Sequence, residues 1–68
     1  MSTEMNRVEI GKKLSQLRGG KTRKEVADSL EISESALAMY ESGERTPRDN
    51  VKIRLADYYN TTVADLFF

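Results

Sequence analysis

Among the groups able to do chemistry in this 68-residue chain, Glu25, Asp28 and Glu31 come first. They fall three residues apart, which is the spacing of neighbours on a helix surface. Paired carboxylates do acid–base work only where a cleft drives their pKa values apart. A chain this short is expected to leave little room for a pocket of ~300 Å³. Cysteine and histidine are both absent. That removes disulfides, thiolate and imidazole metal sites, and Ser-His or Cys-His nucleophilic pairs. An enzyme is therefore not expected, and neither is a metal or any other cofactor.

The remaining chemistry is recognition of anions. The 11 Lys/Arg balance the 11 Asp/Glu, and a neutral total argues mildly against a polyanionic partner. The charges are nonetheless segregated. Residues 1–24 hold seven Lys/Arg against two Glu, residues 25–44 hold six acids and no Lys/Arg, and residues 45–68 hold four Lys/Arg against three acids. Two stretches that can meet phosphates thus flank an acidic one.

Five short helical segments must position these groups. Asn6 with Glu9 is a cap signature ahead of the Ile10, Leu14, Leu17 stripe, and Gly19-Gly20 ends that helix. Thr22-x-x-Glu25 is a capping box opening a second helix, with Val26, Ala27 and Leu30 inward. Glu31-Ile32-Ser33 makes a tight turn in which Ile32 anchors and Ser33 caps. A third helix, Ser33 to Ser42, turns Leu37 and Tyr40 inward and stops at Gly43. After a loop holding Pro47, a fourth helix spans about Asp49 to Tyr59, and Thr62 caps a last turn ending in Leu66, Phe67 and Phe68. No alternating apolar pattern competes for a strand, so the expected fold is all-α, one domain over residues 1–68. No apolar run nears the ~20 residues of a membrane span. Residues 1–5 lack the layout of a signal peptide, and the expected location is cytoplasmic.

Two capped helices joined by a three-residue turn with one buried aliphatic form a helix-turn-helix unit, about residues 22–43. Ala27 lies where the second helix crosses close over its neighbour, and a larger side chain would force the axes apart. From Thr22 to Phe67 the chain resembles the Cro/phage-repressor helix-turn-helix family, also called Xre. The matching words are Thr22-Arg23-Lys24-Glu25-Val26-Ala27, Leu30-Glu31-Ile32-Ser33, Leu37 and Tyr40-Glu41-Ser42-Gly43. They continue through Arg45-Thr46-Pro47, Leu55-Ala56 and Val63-x-x-Leu66-Phe67. Ile10-Gly11-Lys12-Lys13-Leu14 to Leu17-Arg18 is similar to the family's first helix. The loop that follows is two residues shorter than usual.

This resemblance implies a compact five-helix, lambda-repressor-like DNA-binding domain: a transcriptional regulator, usually a repressor, binding a palindromic operator as a dimer. Ser33, Glu34, Ser35, Ala38 and Met39 occupy positions that in the family face base edges, and the inward aim of Leu37 and Tyr40 agrees. Glu34 can accept from a cytosine amino group, and Ala38 or Met39 can pack on a thymine methyl. The alternative for Glu34 is a solvated carboxylate favoured by the helix dipole. Arg23 stands where the family commonly has Gln, at a phosphate-clamping position beside a helix N-terminus. Ser42, Arg45, Thr46 and Arg48 follow the reading helix, where the family contacts the DNA backbone; an ordinary solvated loop is the alternative.

Glu41 is expected to pair with Arg18 as a structural ion pair, again by resemblance. Glu31 replaces a usual Gly, so the turn it occupies is expected to be strained or reshaped. Asp49 and Lys52 replace usually apolar residues and thin one edge of the core. Phe68, with Tyr58, is the expected homodimer contact, the alternative being simple core closure. Partners are then double-stranded DNA and a second copy, with no membrane and no small-molecule effector. The competing function is a protein-binding or antitoxin-like module, in which the acidic helices face a basic protein.

Overall fold

The computed structural model describes residues 6–68; residues 1–5, on which the signal-peptide reading falls, lie outside the described residues. Helices begin where a side chain can satisfy an orphan amide. Asn6 accepts from the Glu9 amide at 2.9 Å to open α1 (Arg7–Arg18). Thr22 accepts from Glu25 at 3.1 Å to open α2 (Arg23–Leu30). Ser33 accepts from Ala36 at 3.0 Å to open α3 (Glu34–Ser42), and Thr62 from Asp65 at 3.0 Å to open α5 (Val63–Phe67). The return half of the box expected at Thr22 is not formed, because the Glu25 side chain stays in solvent. α4 (Asp49–Tyr58) has Arg48 at its N-cap and no side-chain cap bond; Asp49 in its first turn is favoured by the helix dipole instead.

Helices α2, α3 and α4 end alike. Glu31 donates to the Asp28 carbonyl at 3.2 Å and Ile32 to Ala27 at 3.0 Å, the paired bonds of a Schellman end. Gly43 and Glu44 close α3 on Tyr40 and Met39, and Asn60 and Thr61 close α4 on Asp57 and Ala56. The left-handed residue is Glu31 (φ 58°) in α2, Gly43 (φ 85°) in α3 and Asn60 (φ 56°) in α4. A Glu there carries a steric penalty of roughly 1 kcal/mol. The turn of the helix-turn-helix unit therefore keeps its ordinary shape and holds a local strain.

Ile10 and Leu14, Val26, Ala27 and Leu30, Leu37 and Tyr40, Val51, Leu55 and Ala56, and Leu66 and Phe67 form one core drawn from all five helices. Ile32 packs against it from the turn. Leu17, expected inward, is 40% exposed; it lies in the last turn of α1, where the chain bends away through Gly19. Two long cations tie the elements together. Arg54 Nη1 donates to the Leu30 carbonyl at 2.6 Å, fixing α4 to the end of α2, and Lys13 Nζ donates to the Asp65 carbonyl of α5. Asp49 is exposed and Lys52 half-buried, with the Lys52 ammonium over the Phe67 and Phe68 rings at 5.4 and 5.3 Å.

The tightest approach is α1 against α3. A Cβ on Gly11 would run into the Glu41 carbonyl oxygen and stand 2.9 Å from that of Tyr40. Backbone, not a mobile side chain, occupies that space. Gly11→Ala should therefore lower stability by about 1–3 kcal/mol through overpacking, outweighing the ~1 kcal/mol that Ala gains over Gly within a helix. Glu31→Gly should raise stability by about 1 kcal/mol by removing left-handed strain. Thermal melts of the two variants should shift in opposite directions.

Candidate functional site

The third helix has two unlike sides. Leu37, Tyr40 and Glu41 are buried, while Ser33, Glu34, Ser35 and Ser42 are exposed and Ala38 and Met39 half-buried. At 3.6 residues per turn, Ser35, Met39 and Ser42 stand most nearly opposite Leu37, with Ala38 beside them. Glu34 sits on the shoulder of the first turn. The Ser33 hydroxyl already serves the Ala36 amide, and Ser42 Oγ donates to the Met39 carbonyl at 3.1 Å. This outward side carries no Lys or Arg.

The chain leaves α3 through a turn closed on Met39, whose carbonyl accepts from the Glu44 amide at 3.0 Å and the Arg45 amide at 3.3 Å. Pro47 is buried, and Arg45, Thr46 and Arg48 around it are exposed. Burying the single proline of this segment sets three polar side chains outward. Thr46 also lines an open groove with Arg7, Lys52 and Phe67.

Beneath α3 lies an ionic triad. Arg18 at the end of α1 donates from Nε to Glu41 Oε2 at 2.7 Å and from Nη2 to Oε1 at 3.1 Å. Its Nη1 donates to the Lys21 carbonyl at 2.8 Å. Arg23, the first residue of α2, donates from Nε to Glu41 Oε1 at 3.0 Å. The Glu41 side chain is 2% exposed, against 18% for Arg18 and 49% for Arg23. Hydrogen bonding to Glu41, and its charge, raise the Arg18 pKa above the ordinary guanidinium value despite opposing desolvation. Sequence reasoning missed the Arg23 leg, and no spacing signal could have found it, since 18 residues separate the partners.

Tyr59 stands nearby with its hydroxyl buried and without a hydrogen-bond partner. Burial, then the Glu41 and Tyr58 charges, push its pKa up to about 12 from 10.0, against the lowering effect of Arg18. Tyr58 meets Tyr59 edge to face, with centroids 5.1 Å apart. The Lys21 ammonium lies 4.9 Å from the Tyr58 ring centroid and donates to its hydroxyl at 3.2 Å.

Phe68 is instead 48% exposed and lines a groove of about 370 Å³ with Asp49, Lys52, Ile53 and Val63. Tyr58 does not line that groove. Two further open grooves, about 310 and 400 Å³, flank the start of α1. Surface hollows of ~300 Å³ therefore exist, contrary to the size argument, because short helices leave furrows at their ends. None of the three brings two carboxylates together, and Glu25, Asp28 and Glu31 line none of them.

The family model described as helix-turn-helix matches residues 9–66. No match was found among curated proteins or solved structures. No helix among the described residues is long and apolar enough to cross a membrane.

Stability should follow burial within the triad. Arg18→Ala is expected to cost about 3 kcal/mol by weakening the pairing of a buried charge, and Arg23→Ala about 1 kcal/mol or less, as for exposed pairs; urea titration gives both. Tyr59 carries a second expectation. The fold favours its neutral form, so that contribution is complete below pH 10 and is lost as pH rises towards about 12. Tyr59→Phe should remove this loss and leave neutral-pH stability equal or higher, since the hydroxyl it deletes is unpaired.

Proposed function

We propose, from the premise that the chain belongs to the helix-turn-helix family of Cro and phage-repressor type, that it is a sequence-specific transcriptional repressor. In this reading a cytoplasmic homodimer binds a palindromic operator, each copy being one domain around the helix-turn-helix unit of residues 22–43. α3 enters the major groove, which admits one helix and displays a distinct donor and acceptor pattern for each base pair. The observation that carries the reading is the division of α3. Leu37, Tyr40 and Glu41 hold it to the bundle while Ser33, Glu34 and Ser35 remain exposed on its leading end.

Ser35, Ala38 and Met39 supply a hydroxyl and apolar surface for base edges and thymine methyls, and Glu34 accepts from a cytosine amino group. Ser33, at the N-cap, shares that contact in this reading. Arg23, Ser42, Arg45, Thr46 and Arg48 meet phosphates on either side, fixing register without reading sequence. With no Lys or Arg on the reading face, these flanking cations supply the attraction. The dimer forms around Phe68. Its groove couples apolar Ile53 and Val63 with one acid, Asp49, and one base, Lys52. Such a patch is self-complementary about a two-fold axis; Tyr58 contributes only at its margin.

Selection of bound duplexes from a random pool tests the whole reading. A palindromic motif is the expected product, and the affinity should fall with salt at a slope near −0.9 per phosphate neutralised. Absent or salt-insensitive retention would favour a protein-binding module. Glu34→Ala and Ser35→Ala should each alter the selected bases; unchanged preference in both would remove them from the reading face. Phe68→Glu should leave a monomer in sedimentation at concentrations where the parent chain pairs. A dimeric Phe68→Glu would contradict the assigned interface.

A further inference from the structure

Glu41 does more than neutralise Arg18. We propose that it is also the positioning residue for Arg23, presenting that guanidinium to a DNA phosphate in a preset orientation, an inference that rests on the phosphate-contacting role given to Arg23 above. The Glu41 carboxylate is a buried anchor. Both its oxygens are held by Arg18, at 2.7 and 3.1 Å, and Arg18 is itself tied to the Lys21 carbonyl at 2.8 Å. Arg23 reaches Oε1, the oxygen that also accepts from Arg18 Nη2, through Nε alone, at 3.0 Å. Its terminal nitrogens make no hydrogen bond among the described residues, and the side chain is 49% exposed. A guanidinium held by Nε turns its outer edge away from the carboxylate. That edge is the pair of donors that matches two phosphate oxygens.

Charge and entropy favour the same outcome. Two guanidiniums share one carboxylate, so the triad keeps one surplus positive charge, and its solvent-facing member is Arg23. An arginine free in solvent loses rotamer freedom when it binds, whereas one already restrained loses less. Because Glu41 belongs to α3 and Arg23 to α2, the arrangement also fixes the clamp relative to the reading helix. A lysine at this position has a single ammonium and no rigid fork. It can follow the carboxylate or the phosphate, but cannot hold both in the guanidinium geometry.

The test measures duplex affinity against salt for the parent chain, Arg23→Lys and Arg23→Ala. It is paired with side-chain NMR of the Arg23 Nε–H group with and without DNA. The expected results are a slope reduced by about 0.9 in Arg23→Ala and binding about tenfold weaker in Arg23→Lys, the size of one charged hydrogen bond. The Arg23 Nε–H signal should be sharp and exchange-protected in the free protein and stay so on the duplex, while the Nη signals shift. Parent-like affinity in Arg23→Lys, or loss of Nε–H protection on binding, would overturn the positioning role, since the arm would then act as a free charge. A parent chain without salt-dependent binding would instead overturn the DNA reading, and the positioning role with it.

Discussion

A carboxylate inside a small domain is tolerable only when cations offset its lost hydration, and in this chain Glu41 is offset twice, by Arg18 and by Arg23. The contact matters beyond its own energy because of where its members sit. Arg18 closes α1, Arg23 opens α2 and Glu41 lies in the last part of α3, so one carboxylate sets the relation of three helices. Around it, Leu37 and Tyr40 supply the apolar attachment of α3, and Gly11 lets the backbones of α1 and α3 approach as closely as they do. With the inner side of α3 fixed in this way, Ser35, Met39 and Ser42 face outward on a rigid support.

Local chemistry is legible in the sequence. Asn6, Thr22, Ser33 and Thr62 each announce a helix start by residue type, and each accepts the amide three residues on. Gly43 announces the end of α3, and the inward stripes of α2 and α3 follow from period alone. Long-range matters were less legible. Gly11 is a mid-helix glycine whose cost hints at a close approach, but its neighbour, Glu41, is known only once the helices pack. Arg54 on the Leu30 carbonyl and Arg23 on Glu41 are pairings across 24 and 18 residues that no spacing encodes. Leu17 follows the stripe of α1 yet stays 40% exposed, since a periodicity states which side faces inward and not how far the core extends.

Charge layout connects this architecture with the proposed task. The acids of residues 25–44 are spread over α2, the turn after it, α3 and the start of the loop beyond, so in the proposed reading non-specific attraction to a phosphate backbone comes from flanking cations such as Arg23, Arg45 and Arg48. The proposed reading face, built of Ser, Ala, Met and Glu, lacks the arginine fork that commonly grips guanine. Discrimination then falls to hydroxyl, methyl and carboxylate contacts, which need close and accurate placement. On the proposed reading the triad and the Gly11 crossing supply that placement, which would link stability of the bundle to selectivity at its surface.

The central claim is that the outward side of α3 lies against base edges in the major groove. Intermolecular NOEs in a complex with the selected duplex test it most directly. The account predicts contacts from the Ser35 β-protons and the Ala38 and Met39 methyls to cytosine H5 or thymine methyl protons. A complex in which those protons see no base, and DNA contacts fall instead on the Ile53, Val63 and Phe68 groove, would contradict it.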